Sequence, residues 1–271
     1  MMHQKEKNIQ KRYDGFLQTP SLWKNNEVYD LHQFQIEPVF TKIDVDVDEK
    51  LGLGKYVERL VSFEITQNFA YQIIAENIQI QQDKRTLGEL DCILLKNSKP
   101  IHLEIIYKFY LYDTSVGENE IEHFIGPNRK DSLQEKLHKL LDKQLPLLYS
   151  KECTDYLKSI NLNIEKMEQK VYFKAQLFIP FSDRNIVLKL LNNNCITGFY
   201  CNVKEIQQFT ECKFFIPIKI DWIVVPHKNV QWLSYVSFKE KVQEFLLKKT
   251  SPICWLKQQN GEIIKFFLVW W

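Results

Sequence analysis

The sequence predicts a mixed α/β (α+β) fold: a mixed sheet with flanking helices, in the order helix, strand, strand, strand, helix, strand, followed by a C-terminal α+β extension. Three observations carry that expectation. An amphipathic helical stripe precedes three strand-like segments. The turns joining those segments are too short for crossovers, so the three form an antiparallel meander. A long helical connection then leads to a fourth strand-like run and permits a parallel pairing. Hydrophobic residues make up 45% and charged residues 26% of 271 positions. That balance fits a globular protein with a sizeable core and argues against disorder.

The elements follow in order. Residues 1–50 read as an N-terminal extension with one short helix near Tyr13 to Leu17 and a turn at Thr19-Pro20-Ser21. Asp44, Asp46, Asp48 and Glu49 form an acidic connector, without the glycine and distal glutamate of a calcium loop. Residues 51–180 read as the core. From Lys55 to Phe69, Tyr56, Leu60 and Phe63 fall at i, i+4 and i+7, with Val57 and Val61 beside them and Glu58 near the edge of that face. Asn77 to Gln81 alternates as a strand, and Asp83-Lys84 is a turn. Thr86 to Leu95 is a second strand, Asn97 to Pro100 a turn, and Ile101 to Tyr112 a third strand. Turn signals recur at Gly117-Glu118-Asn119 and Gly126-Pro127-Asn128. Asp131 or Ser132 can cap the next helix, whose apolar face is Leu133, Leu137, Leu140, Leu141 and Leu145. Val171 to Leu177 is the fourth strand. Residues 181–271 read as an extension or small subdomain, with a strand at Phe214 to Val225, a helix at Phe238 to Lys248 and a last strand at Ile263 to Trp271.

Charge and cysteine usage narrow the classes. Lys plus Arg is 36 against 34 Asp plus Glu, a net +2, so any nucleic-acid contact must come from local charge. No segment approaches the roughly 20 apolar residues of a membrane helix, and the first residues lack a signal-peptide core. The six cysteines, Cys92, Cys153, Cys195, Cys201, Cys212 and Cys254, form no Cys-x-x-Cys pair. Reduced thiols, a cytoplasmic location and no membrane partner are the expectations.

The chemistry concentrates between Arg85 and Tyr112. Side chains alternate along a strand. His102, Glu104, Ile106, Lys108 and Tyr110 therefore share one face, and Leu103, Ile105, Tyr107, Phe109 and Leu111 share the other, expected to be the buried one. If Cys92 to Leu95 pairs with Ile101 to Glu104, Asp91 lies near Glu104 or one pair beyond it. Facing Cβ atoms are then roughly 4.5–5.5 Å apart. Two carboxylates so placed repel, and a divalent metal with oxygen ligands relieves the repulsion. Lys108 stands four strand positions from Glu104, about 13 Å by strand rise, a gap that its side chain spans in large part by leaning back. Asp91 and Glu104 are thus candidate ligands for Mg²⁺ or Mn²⁺. Lys108 is a candidate to orient water or stabilise charge on a phosphate, and Glu58 to complete the shell through a water. The plain alternative is a set of cross-strand charge pairs on the wet face of a half-exposed strand.

Four segments also carry a resemblance: Lys55-Tyr56-Val57-Glu58-Arg59-Leu60, Ala75-Glu76-Asn77-Ile78-Gln79-Ile80, Arg85-Thr86-Leu87-Gly88-Glu89-Leu90-Asp91, and His102-Leu103-Glu104-Ile105-Ile106-Tyr107-Lys108-Phe109-Tyr110-Leu111. With Thr19-Pro20-Ser21-Leu22, Gly126-Pro127-Asn128, Asp131, Leu133, Lys136 and Gln144, they resemble a bacterial family known as domain of unknown function 1853. The resemblance runs over about residues 15–150 and is weaker beyond. That family looks like a branch of the PD-(D/E)xK nuclease superfamily, the restriction-endonuclease-like fold. The resemblance implies that Asp91 is the lone metal-binding aspartate, Glu104 the acidic residue of the (D/E)xK element and Glu58 the acidic position on the first core helix. Ile106 occupies the usual lysine position, and Lys108, one same-face step further on, takes its place. The activity implied is metal-dependent hydrolysis of phosphodiester bonds in DNA or RNA. The alternative is a catalytically inactive nuclease-fold module that binds nucleic acid or a protein partner.

Other side chains fit the same chemistry. Lys136, Lys139 and Lys143, with Arg129 and Lys130 before them, can follow a phosphate backbone, although Glu135 and Asp142 interrupt the stripe. Asn128, Arg129 and Gln144 can reach a substrate, His102 can shuttle a proton, and Tyr110 and Tyr112 can stack on bases. A solvated helix face, turn formation and strand packing explain the same residues without a ligand. The Gly-x-Ser-x-Gly and phosphate-loop motifs are absent.

Overall fold

A computed structural model describes the backbone of residues 2–271 and the side chains of residues 8–271. Among the described residues there are five α-helices and nine strands. In chain order they are α1 Met2–Gln18, α2 Leu53–Thr66, β1 Tyr71–Gln82, β2 Arg85–Lys96, β3 Lys99–Tyr112, β4 Phe124–Ile125, α3 Leu133–Lys139, α4 Lys151–Ser159, β5 Glu168–Pro180, β6 Ile196–Cys201, β7 Lys213–Phe215, α5 Tyr235–Leu247, β8 Ile253–Lys257 and β9 Ile263–Leu268. The strands form a mixed sheet in the order β1-β2-β3-β5-β6-β9-β8-β7, with β4 on β3. β1, β2 and β3 are successively antiparallel, whereas β5–β6 and β6–β9 are parallel. The chain is therefore mixed α/β, with the expected meander in place.

Two compact units share the chain. One comprises Ser21–Tyr107 and Glu135–Lys174; the other comprises Met1–Pro20, Lys108–Gln134 and Ala175–Trp271. In the first unit, α2 forms because its apolar residues fall on one stripe: Tyr56, Val57, Leu60, Val61 and Phe63 are all buried. Its meander is set by two tight turns. Asn97 and Ser98 both have positive φ, 47° and 68°, in a two-residue loop between Lys96 and Lys99. That backbone twist matches the twist of the flanking strands, and asparagine tolerates it better than most residues. Ile78, Ile80, Leu90, Ile93, Leu148, Cys153, Leu157 and Met167 make one apolar cluster of this unit. Each large side chain so buried contributes about 1.5–3 kcal/mol.

The second unit has its own cluster, in which Phe199 of β6, Phe214 of β7, Phe238 and Val242 of α5, and Phe266 and Leu268 of β9 interlock. The rings of Phe214 and Phe238 stack at 4.2 Å between centroids. Gly198 has a steric reason to be glycine: a Cβ there would lie 1.9 Å from the Lys265 carbonyl oxygen, so the close β6–β9 pairing admits no side chain.

Several expectations are corrected. The face of β3 that carries His102 and Glu104 is not wet: both residues are fully buried, as are Leu103, Leu111 and most of the strand. β3 is an interior strand of the sheet, and alternation cannot distinguish a strand covered on both faces from one covered on a single face. Residues 214–225 are not one strand. Pro217 follows β7 closely, and Lys219–Ile223 is a 3₁₀ turn; proline supplies no ladder N–H. The first helix runs from Met2 and not from Tyr13, and the last strand stops at Leu268. β6, β8 and α4 were not anticipated. All six cysteines are free, five of them buried. No helix among the described residues is long and apolar enough to cross a membrane.

Candidate functional site

Asp91 and Glu104 are brought together by the β2–β3 register. Cys92 pairs with Leu103 and Ile93 with His102; one further step sets Asp91 opposite Glu104. Facing residues of an antiparallel pair project on the same side. The Ile105 backbone N–H donates to Asp91 Oδ2 at 2.9 Å, which fixes one carboxylate oxygen. Burial pushes the Asp91 carboxyl up to about 7, the negative charge of Glu104 adds to the rise, and the Ile105 hydrogen bond opposes it. Glu58 raises it further, and Lys55 lowers it.

Glu104 is clamped on both oxygens. His102 Nε2 lies 3.0 Å from Oε1, and the Gln144 amide nitrogen donates to Oε2. The His102 tautomer follows from its other neighbour. Gln169 Nε2 donates to the Leu145 carbonyl at 2.7 Å, which sets that amide's orientation, and the same nitrogen lies 3.0 Å from His102 Nδ1. Nδ1 therefore accepts, and Nε2 carries the proton given to Glu104. Gln144 is oriented in the same way, because Lys136 Nζ donates to its Oε1 at 2.7 Å. The carboxylate, buried with His102, thus sits at the centre of a partly buried relay that runs from Lys136 to Leu145.

The helix supplying Gln144 is irregular where the relay needs it. After α3, residues Leu140–Gln144 form a π turn, and the Leu145 N–H bonds Leu140 O at 2.9 Å. Pro146 follows; its missing N–H and bulky ring prevent a regular α-helix from continuing. Single π turns of this kind are enriched at functional sites.

Lys55 and Glu58 of α2 reach the same side of the meander. Lys55 Nζ donates to Glu58 Oε2 at 2.9 Å, to Asn77 Oδ1 at 2.7 Å and to Glu89 Oε1. Burial raises the Glu58 carboxyl above its ordinary range, and the Lys55 contacts only partly offset that. Asn77 has a left-handed φ of 53° within β1 and continues the β1–β2 register opposite Asp91. Asparagine accepts that conformation more readily than most residues. Glu58, Asp91 and Glu104 are therefore electrostatically connected. Among the described residues, however, no group of three or more His, Cys, Asp or Glu side chains is arranged to hold a metal ion.

Lys108 is engaged elsewhere: its Nζ donates to Asp131 Oδ2 at 2.7 Å. Arg129 pairs with Asp113 at 2.9 Å and stacks over the Trp271 ring. The Asn128 carboxamide accepts the Ser251 N–H at 2.8 Å. These loop residues hold their own unit together. On the helical stripe, Lys136 serves the Gln144 contact while Lys139 and Lys143 are exposed.

The family described as Domain of unknown function (DUF1853) matches residues 11–269, nearly the whole chain. The chain belongs to this family. No curated protein and no solved structure matches it. In this member of the domain of unknown function 1853 family, sequence reasoning singled out Gln144 but missed Lys55, Asn77 and Gln169. Lys55 and Asn77 had a readable signal: both stand in segments that resemble the family, and Lys55 shares its segment with Glu58. Gln169 had none, because its role depends on a long-range contact.

Proposed function

We propose that this chain is a metal-dependent nuclease-like protein with a restriction-endonuclease-like core, hydrolysing phosphodiester bonds of DNA or RNA. The observation that carries the reading is the pair of facing carboxylates on β2 and β3, with Asp91 pushed up to about 7 by burial and by Glu104. Among the described residues, neither carboxylate is paired with a lysine or arginine. The donor set fits Mg²⁺ or Mn²⁺, which prefer carboxylate oxygens and retain waters. Asp91 and Glu104 would hold the ion, with Glu58 behind them. Bound there, it would supply positive charge to phosphate oxygens.

The chain's own groups prepare that site. The Ile105 N–H holds Asp91, and His102 and Gln144 fix both oxygens of Glu104, so neither carboxylate has to reorganise on binding. Lys108 takes the cationic role at the phosphate on leaving Asp131. The second reading, a catalytically inactive nuclease-fold module that binds nucleic acid or a protein partner, is favoured by one observation: Ile106 stands at the lysine position while Lys108 is ion-paired to Asp131.

Incubation of purified protein with plasmid, single-stranded DNA and RNA tests both readings, in Mg²⁺, Mn²⁺ or chelator. Cleavage that needs the metal and disappears in Asp91→Asn and Glu104→Gln supports the nuclease. Cleavage that survives chelation or Glu104→Gln refutes it, and tight salt-sensitive binding without cleavage selects the module.

A further inference from the structure

A second site lies in the other compact unit, with no part in the chemistry above. Lys265 of β9 is 3% exposed. Its Nζ donates to Gln176 Oε1 at 2.8 Å and to the Trp222 carbonyl at 2.6 Å. Both acceptors are neutral, and among the described residues no carboxylate lies within ion-pair reach of the amine. An ammonium has three protons to give, and here the third finds no acceptor among the described residues. A buried charge is ordinarily paired, because unpaired burial is costly. Accordingly, burial alone pushes the Lys265 amine down to about 7.

The residue does not stand in solid core. It lines a cavity of about 590 Å³ between the end of α1, the segment around Ile223 and the strands β5, β6 and β9. That volume is in the range of small-molecule sites. Two further polar side chains in the lining, Thr19 and Gln176, are at least nine-tenths buried. The rest of the lining is mixed: Ile179, Ile196 and Ile263 give an apolar side, Asn194 and Thr197 are polar, and Arg184 and Glu262 are the other ionisable side chains present. Gly15 and Gly198 let neighbouring backbone pack closely in the wall: a Cβ on either would meet a backbone carbonyl oxygen at 2.2 Å or 1.9 Å.

We propose that this cavity binds a small organic anion, its carboxylate or phosphate group pairing with Lys265 and its apolar body lying against the isoleucine walls. The ligand supplies the negative charge that the chain withholds from Lys265, and it accepts the third proton. A neutral molecule of the same shape gains only the wall contacts.

Calorimetric titration of the full chain with hexanoate, hexanamide and inorganic phosphate tests this, using the wild type and Lys265→Met. Hexanoate is expected to bind at least about tenfold tighter than hexanamide, the worth of a charge-assisted hydrogen bond. Lys265→Met is expected to erase that preference while leaving hexanamide binding unchanged. Phosphate binding without hexanoate binding would assign the site to phosphorylated ligands, and the reverse to carboxylates. A variant-free measurement accompanies these: at pH 8, hexanoate binding to the wild type takes up a proton, approaching about one per ligand, read from buffers of different ionisation enthalpy. Where hexanoate binds, an affinity equal to that of hexanamide, an undiminished preference in Lys265→Met or no proton uptake would each overturn the proposal, as would no binding of either anion.

Discussion

Asp91→Asn should stabilise the protein, and do so only where the native carboxylate would be charged. The Asp91 carboxyl is raised from an ordinary 3.8 to about 7 by burial and by Glu104. Between those two values the folded chain holds a proton that the unfolded chain has released. Stability therefore falls as pH rises through that window and levels off above it. At about 1.36 kcal/mol for each pH unit, the interval caps the cost at about 4 kcal/mol. Relaxation and water near the site reduce it, so about 2 kcal/mol is expected. Asparagine removes the charge and keeps an oxygen for the Ile105 N–H. Urea denaturation of both proteins at pH 4 and pH 8 measures the effect. The variant should match the wild type at pH 4 and exceed it at pH 8. Added Mn²⁺ should then stabilise the wild type alone, by about 2.7 kcal/mol at a hundredfold excess over the dissociation constant. A variant that is weaker by the same amount at both pH values would refute the electrostatic argument and leave Asp91 as a hydrogen-bond acceptor that ties β2 to β3.

Other substitutions probe separate links. Glu104→Gln places an NH₂ against one of two fixed donors, His102 or Gln144; denaturation should show a loss of about 2–4 kcal/mol, and an unchanged midpoint would contradict the clamp. For Lys265, lowered from 10.5 to about 7 by burial, the sign is opposite to that of a paired lysine. The unfolded chain holds more protons between those values, so wild-type stability rises with pH there. Relative to Lys265→Met, the wild type should gain about 2–3 kcal/mol between pH 6.5 and pH 9.5, and a constant difference would argue against a buried, strained charge. Gly198→Ala drives a Cβ to 1.9 Å from the Lys265 carbonyl oxygen; a loss of about 3 kcal/mol or more is expected in thermal unfolding.

The meander was readable because its signals are local. Asp83-Lys84 and Asn97-Ser98 announce turns, and the runs around them alternate or are strongly apolar, so β1, β2 and β3 were each located to within a few residues at most ends. The stripe of α2 was equally plain. β6 and β8 were not, since six and five residues of mixed apolar character fit a strand or a buried helical turn equally well, and only their pairing partners decide. The same limit misjudged residues 214–225, where Pro217 outweighs an apolar run. α1 was underestimated because its first turns are polar and carry no stripe. The division into units is discontinuous in sequence, so no linear change of composition marks it.

The site was half legible for a related reason. Strand alternation and turn length set Asp91 across from Glu104, since both follow from counting residues. Alternation tells which side chains share a face but not what covers that face, and the expected wet face is in fact buried. That difference changes the electrostatics. On a wet face, water would screen the repulsion between the two carboxylates. In a buried one that repulsion is screened far less, and Lys108 is held by Asp131. The cation that does reach this region is Lys55, and it is consumed by Glu58, Glu89 and Asn77. What remains is a charge imbalance confined to Asp91 and Glu104. The backbone N–H of Ile105 and the dipoles of His102 and Gln144 soften it but cannot cancel it, as hydrogen bonds from neutral groups carry no net charge. A proton on Asp91 relieves it below about pH 7, and a bound cation would do so above, which is why the metal test and the pH dependence of Asp91→Asn interrogate the same physical fact.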